Sequence, residues 1–386
     1  MATYTFSFPT PIHFGPGIRK NLPGFFKDHG FRLPLIITDQ GVVGLSFFQE
    51  IKASLEAGGL SVAVFSEITG NPGESQVIQG VNCFRFHNAD SIIAIGGGAA
   101  LDVAKAVALM VAHRGDLFDY EDGRADALPI DGPIPFWVAI PTTAGTGSEV
   151  GRSTVISDEK THIKRIIFSP KLLAKAVFAD PELALSMPAS ITAATGMDAL
   201  THCVESYLAK GYHPLCDGIA LEGLKLAATH LEKCVREPNN IEARAGMLMS
   251  SIMGGIAFQK GLGLTHSCAH ALSTIANLHH GLTNGLMINH ALKFNISAVP
   301  ERFHSMAVAI GLKNSTGEGF ISWLEELKTQ IGMPNYLSKA GLKFSSPLDQ
   351  KFIDRVSTLA FEDSCHQNNP RTCTPKDFKQ IFSEAL

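Results

Sequence analysis

The sequence predicts an α/β domain with a parallel sheet over residues 1–185, followed by an all-helical domain over residues 186–386. Three observations carry this. The 386 residues exceed what one hydrophobic core usually serves. In the first half, short apolar runs alternate with stretches of helical spacing, the pattern of strand–helix–strand units. From about Ser190 onward the chain reads as long helical patterns with no convincing strand.

Taken in order, "LPLIITD" (33–39), "SVAVFS" (61–66), "SIIAIGGG" (91–98) and "FWVAIPTT" (136–143) read as buried strands. Between them, "LSFFQEIKASLEAGG" and "ESQVIQGVNCFRFHN" space their apolar residues as helices do, and a further helix starts near Ala99. The texture changes after "VFADPELALSMP", which places the boundary near residue 185. The first helix beyond it, "SITAATGMDALTHCVESYLAKG", opens on a Ser/Thr cap signal and closes near a glycine.

Composition narrows the function classes. With 45% hydrophobic and 18% charged residues the chain reads as globular, and its net charge of −4 offers no basic stripe for nucleic acid. The start, "MATYTFSFPTPIHFGPG", lacks the basic-then-apolar order of a signal peptide, and no apolar run suits a membrane span. Seven cysteines without a CxxC pair point to free thiols and a cytoplasmic setting.

Two loops at strand ends are suited to a ligand. "IAIGGGAALDVAK" is a strand, three glycines and a helix start, so Gly97 and Gly98 let backbone approach an anion at the helix N-terminus. A tight strand-to-helix turn is the alternative. "IPTTAGTGSEV" (140–150) follows the next strand and adds the hydroxyls of Thr142, Thr143 and Thr146. Ligands of open α/β sheets sit at such carboxyl ends. Asp39 ends another strand; there a carboxylate can bond an adenosine ribose and repel a 2′-phosphate, or simply cap a turn.

The segment "GLGLTHSCAHALSTIANLHHG" places His266, His270, His279 and His280 among small apolar residues. Asp198 and His202 are four apart, as are His266 and His270, so each pair shares a helix face one turn apart. Bundles build metal sites from such pairs on facing helices. One carboxylate with imidazoles suits Fe²⁺, Zn²⁺ or Ni²⁺ better than Ca²⁺ or Mg²⁺. Structural histidines are the alternative; His279, His290 and His304 read as surface residues or outer supports.

These motifs resemble the iron-dependent (group III) alcohol dehydrogenases, whose fold is shared with glycerol dehydrogenase and dehydroquinate synthase. The likeness runs along nearly the whole chain, through "PTPIHFGPG", "GGGAALDVAK", "PTTAGTGSEV", "TAATGMDALTHCVES", "GLGLTHSCAH", "LHHG" and "DSCHQNNPR". It departs at Ala99, where the family usually has serine, and at Ala271, where proline is frequent.

The resemblance implies metal ligands at Asp198, His202, His266 and His280, and a proton-moving histidine at His270. It implies NAD contacts at Asp39, Gly97, Gly98, Asp102, Thr142, Thr143, Thr146 and Lys164, and places Asn71 and Cys365 near substrate. The implied activity is NAD-dependent, Fe²⁺-dependent interconversion of a primary alcohol and its aldehyde by a homodimer. Maleylacetate reductase-like and dehydroquinate synthase-like chemistry are the related alternatives. Arg152 shortly follows the threonine loop. Its guanidinium suits a substrate carboxylate, as in 4-hydroxybutyrate, or a salt bridge to Glu149, Asp158 or Glu159.

Overall fold

A computed structural model of the protein describes residues 6–8, 10–161, 163–342 and 350–386. The first five residues and Pro9 of the amino-terminal stretch lie outside the described residues. The N-terminal half is built on a six-stranded sheet in the order β1-β8-β5-β4-β2-β3, parallel throughout. Its strands are β1 (Ile12–Phe14), β2 (Pro34–Asp39), β3 (Ala63–Ile68), β4 (Ser91–Gly96), β5 (Phe136–Pro141) and β8 (Ala176–Ala179). Between β5 and β8 a separate antiparallel hairpin is formed by β6 (Ser153–Ser157) and β7 (Lys164–Phe168).

The four strands read from sequence are β2, β3, β4 and β5. The run read as 61–66 is paired two residues later, at Ala63–Ile68, and β4 ends at Gly96, so the glycines that follow form the turn. β2, β4 and β5 are central and covered on both faces, which is why they read as unbroken apolar runs. Helices α1 (Leu22–Asp28), α2 (Gln40–Val43), α3 (Ser46–Ala57), α4 (Glu74–Phe86) and α5 (Gly98–Ala112) supply most of that cover.

The C-terminal half is helical among the described residues. It comprises α6 (Ala189–Leu208), α7 (Pro214–Arg236), α8 (Ile241–Ala257), α9 (Leu264–Ala276) and α10 (His280–Asn295). These are followed by α11 (Pro300–Ala309), α12 (Gly317–Gln330), α13 (Gln350–Glu362) and α14 (Pro375–Ala385). α6 is the axis of this half, with every residue from Thr192 to Leu208 buried. The expected Ser/Thr cap is not what starts it. Pro188 occupies the N-cap, and the Thr192 hydroxyl turns back to the Met187 carbonyl while accepting from Arg244.

The two halves meet backbone to backbone at the threonine loop. A Cβ on Gly255 of α8 would lie 2.8 Å from Gly147 Cα. Even alanine there would force the chains apart, at roughly 1–3 kcal/mol. No described helix is long and apolar enough to cross a membrane.

Candidate functional site

Asp198 and His202 project from one face of the buried α6, His266 and His270 from α9, and His280 from the first turn of α10. The helices bring the first three and His280 to one point. Asp198 Oδ1 lies 3.8, 3.9 and 3.4 Å from the Nε2 atoms of His202, His266 and His280. Donors about 2.1 Å from a tetrahedral ion stand about 3.4 Å apart, so this set is close to coordination spacing. The four donors carry one negative charge when the imidazoles are neutral, which suits a divalent transition ion.

The rings are oriented from behind. His202 Nδ1 donates to the Gly145 carbonyl at 3.2 Å, and His266 Nδ1 donates to Glu205 Oε2 at 2.7 Å, each leaving Nε2 for the shared point. Burial pushes His202 down to about 4, against the pull of Asp198. Burial, with the neighbouring imidazoles, also holds His280 well below the usual histidine range. At His266 burial acts downward too, but the Glu205 carboxylate outweighs it and the net shift is upward.

Asn284 of α10 completes the cluster. Its Nδ2 donates to Asp198 Oδ1 at 2.7 Å and lies 3.3 and 3.2 Å from Nε2 of His266 and His280. Three of the four donors thus converge on a group of partial positive charge, which shows that their lone pairs point to a common place. Glu205 and Asn284 escaped the sequence reading. Both follow the spacing that found the ligands: Glu205 continues the Asp198–His202 stripe at seven residues, and Asn284 is four after His280.

His270 stands beside this cluster with a different partner. Its ring centroid is 5.2 Å from that of His280 and 6.0 Å from that of His266, while its Nδ1 contacts Asp363 Oδ2 at 2.8 Å.

The glycine and threonine loops leave adjacent parallel strands β4 and β5 and face each other. A Cβ on Gly97 would meet Thr143 Oγ1 at 3.3 Å, and one on Gly98 would meet Thr146 Cγ2 at 2.7 Å. Only glycine permits this approach at Gly98. Thr142 is buried and anchors the pair through its N–H to the Gly96 carbonyl at 3.0 Å. Asp102 has both oxygens engaged by the protein: Oδ1 accepts from the Ser148 hydroxyl and Oδ2 from the Val155 N–H. Lys164, first residue of β7, makes no side-chain hydrogen bond among the described residues. Burial lowers its pKa despite the opposing charges of Asp102 and Asp198.

Asp39 is the N-cap of α2, its Oδ1 accepting the Gly41 and Val42 N–H groups at 2.9 Å each. It also borders a cavity of about 320 Å³ with Gln40, Gly41, Ile68, Thr69, Gly70 and Ala99. Capping and ligand contact are therefore compatible, since both cap bonds go to Oδ1 while Oδ2 sits by Gly96.

Asn71 reaches across from the β3–α4 loop, its Nδ2 donating to Oδ1 of Asn277 at 3.2 Å; Asn277 caps α9 at φ 48°. Cys365 follows α13 and donates its N–H to Asp363, and all seven cysteines are free thiols. Arg152 pairs with none of the three acids expected of it, Glu149, Asp158 and Glu159, and bonds instead through Nη2. That nitrogen donates to the Ser7 carbonyl and to Gln259 Oε1, while Asp158 pairs with Arg165 and Glu159 accepts from Ser75. His279 caps α10, and His290 and His304 contact the Asn335 and Ser315 carbonyls.

The family model described as "Iron-containing alcohol dehydrogenase" matches residues 9–181, and "Fe-containing alcohol dehydrogenase family, C-terminal" matches residues 192–386. The chain is similar to the NAD-dependent methanol dehydrogenase of Bacillus methanolicus, with 36% identity over 99% of each chain. It is similar to the 4-hydroxybutyrate dehydrogenase of Cupriavidus necator, with 34% identity over 98% of each. Among solved structures, it resembles an alcohol dehydrogenase from Oenococcus oeni with a TM-score of 0.93, 31% identity and 100% of both chains covered. A sulfoacetaldehyde reductase from Bifidobacterium kashiwanohense in complex with NAD+ superposes with a TM-score of 0.90 at 28% identity, covering 100% of this chain and 99% of that one.

Proposed function

The chain belongs to the iron-containing alcohol dehydrogenase family, and from that premise we propose that it interconverts a short primary alcohol and its aldehyde with NAD. The observation that carries this reading is the convergence of Asp198 Oδ1 and three imidazole Nε2 atoms, 3.4 to 3.9 Å away. The ion assigned to them is Fe²⁺, with Zn²⁺ and Ni²⁺ as alternatives, because availability decides among metals that such a set accepts. A divalent ion bound there supplies Lewis acidity towards the alcohol, and the nicotinamide ring accepts the hydride.

The chain's own groups do the rest. Asp198, His202, His266 and His280 hold the ion, oriented by Glu205 and Gly145. Gly97, Gly98, Thr142, Thr143 and Thr146 cradle the pyrophosphate against the N-terminus of α5. Asp39 borders the adenosine end, and Asp102 and Lys164 stand towards the nicotinamide end. His270 carries the alcohol proton towards solvent. Asn71 and Cys365 line the substrate end. In this reading residues 1–185 bind the dinucleotide, residues 186–386 hold the metal, and the protein works as a cytoplasmic homodimer.

A second substrate, 4-hydroxybutyrate, is favoured by the 34% identical relative named for it. Maleylacetate reductase-like chemistry is less well supported, because all four ligand residues are present. The test is NADH absorbance with a panel of primary alcohols, alongside metal analysis of the purified protein. Alcohol-dependent NADH formation that stops on chelation and returns with Fe²⁺ supports the proposal. Turnover unchanged after the metal is stripped would overturn it.

A further inference from the structure

Asp363 opens the "DSCHQNNPR" stretch, has no role assigned from the sequence, and is the partner of the residue assigned to proton transfer. It follows the last turn of α13, 93 residues from His270 in sequence. Its two oxygens have separate duties. Oδ1 accepts from the Ser267 hydroxyl at 2.7 Å and from the Cys365 N–H at 2.9 Å. Oδ2 is left to His270 Nδ1 at 2.8 Å. Ser267 is itself fixed: it is fully buried on α9, three residues before His270, and its oxygen accepts the His366 N–H at 2.9 Å.

We propose that Asp363 is a positioning residue for proton transfer: it fixes the ring and tautomer of His270, and Ser267 with the Cys365 N–H fixes Asp363. The proposal rests on the reading of His270 given above.

The physical chain is short. An imidazole with its Nδ1–H on a carboxylate keeps the lone pair on Nε2, the nitrogen able to take a proton from the alcohol side. The carboxylate also stabilises the imidazolium that forms before the proton leaves for solvent, and need not become protonated itself. Burial would raise the Asp363 pKa, but the attraction of the His270 ring when it carries a proton and the hydrogen bonds from His270, Ser267 and Cys365 outweigh it, and the net shift is downward. The titratable groups that face His270 are His266 on its own helix, His280 from α10, and Asp363 and Cys365 from the segment after α13. Asp363 is the one carboxylate among them. It meets the ring at Nδ1, the nitrogen opposite the one that would take the proton.

The experiment is a double-mutant cycle in the metal-loaded enzyme, reading kcat, KM, metal content and Tm for Asp363→Asn, His270→Ala and the pair. Asparagine keeps the shape but can offer an N–H to Nδ1, which favours the wrong tautomer. The expected result is a fall in kcat on the order of 10²-fold, KM within about twofold, and unchanged metal content. In the His270→Ala background the same change should cost nothing further, as expected for residues acting as one unit. An equal loss in both backgrounds, or no loss in either, would overturn the proposal. Full turnover by His270→Ala alone would instead overturn the reading of His270 on which it rests. Should Asp363→Asn lower Tm or metal content, Ser267→Ala takes its place, removing one of the two donors on Oδ1. A kcat loss of a few-fold that disappears in the His270→Ala background supports the role, and a loss of the same size in both backgrounds defeats it.

Discussion

Glu205 Oε2 lies 2.7 Å from His266 Nδ1 while the same carboxylate accepts the backbone N–H groups of Gly263, Thr265 and His266. One buried side chain on α6 thereby closes the first turn of α9 and aims the imidazole of His266, a proposed ligand. Glu205→Gln keeps the size but loses the charge and offers an N–H where an acceptor is needed. Affinity for the divalent ion is expected to fall roughly 10–100-fold. Competition with a metal-sensitive dye measures it; an unchanged affinity would separate Glu205 from the metal site.

His266 and His270 share a helix face but are proposed to have different tasks. His266→Ala removes a donor 3.9 Å from Asp198 Oδ1 and is expected to lose metal and turnover together. His270→Ala is expected to keep the metal and slow turnover. Elemental analysis of both purified variants checks the division, and a metal-free His270→Ala protein would contradict it.

At the proposed adenosine end, Asp39→Gly removes a carboxylate that a 2′-phosphate would have to face. The ratio of kcat/KM for NADP to that for NAD is expected to rise. Because Asp39 also caps α2 through Oδ1, a fall in stability of about 0.5–2 kcal/mol should accompany the change. A wild type already indifferent between the two cofactors would contradict the reading.

Glu149 is buried beside the threonine loop, and burial pushes its carboxyl up to about 7. The folded state therefore holds a proton that the unfolded chain releases near 4.5. Stability from this group is complete below that value and is lost as pH rises to about 7. Glu149→Gln resembles the protonated form. It should match wild type near pH 4 and exceed it by about 3 kcal/mol above pH 7. Denaturant unfolding of both proteins across that range is the measurement, and parallel curves would refute the expectation.

Arg152 ties the chain near Ser7 to the turn at Gln259. Arg152→Ala is therefore expected to lower kcat/KM for 4-hydroxybutyrate and 1-butanol by similar factors. A loss confined to the acid, worth about 2–5 kcal/mol, would instead identify a carboxylate clamp.

Legibility in the sequence followed locality. β2, β4 and β5 were readable because burial on both faces leaves long apolar runs, and the helix pairs because four-residue spacing is a local signal. β1 and β8, three and four residues long, have no room for a pattern and exist through their partners. In hairpin β6–β7, β6 alternates in burial but spends one of its two buried positions on Thr154, and β7 buries only Ile167. The five converging side chains of the candidate site were legible as two pairs and a histidine, but the groups that aim them were not. Gly145 reaches His202 from 57 residues away, and Asp363 reaches His270 from 93. Arg152 likewise met partners more than 100 residues distant in place of the acids close to it in sequence.

The bond from His202 to the Gly145 carbonyl joins two sites that are usually discussed apart. Gly145 belongs to the loop proposed to receive the pyrophosphate, and His202 to the set proposed to receive the ion. Whatever orders the loop also orders the imidazole, and the converse holds with the same free energy, because thermodynamic coupling is reciprocal. On the proposed reading, dinucleotide and metal are expected to be heterotropic ligands of one another, linked through a single carbonyl oxygen.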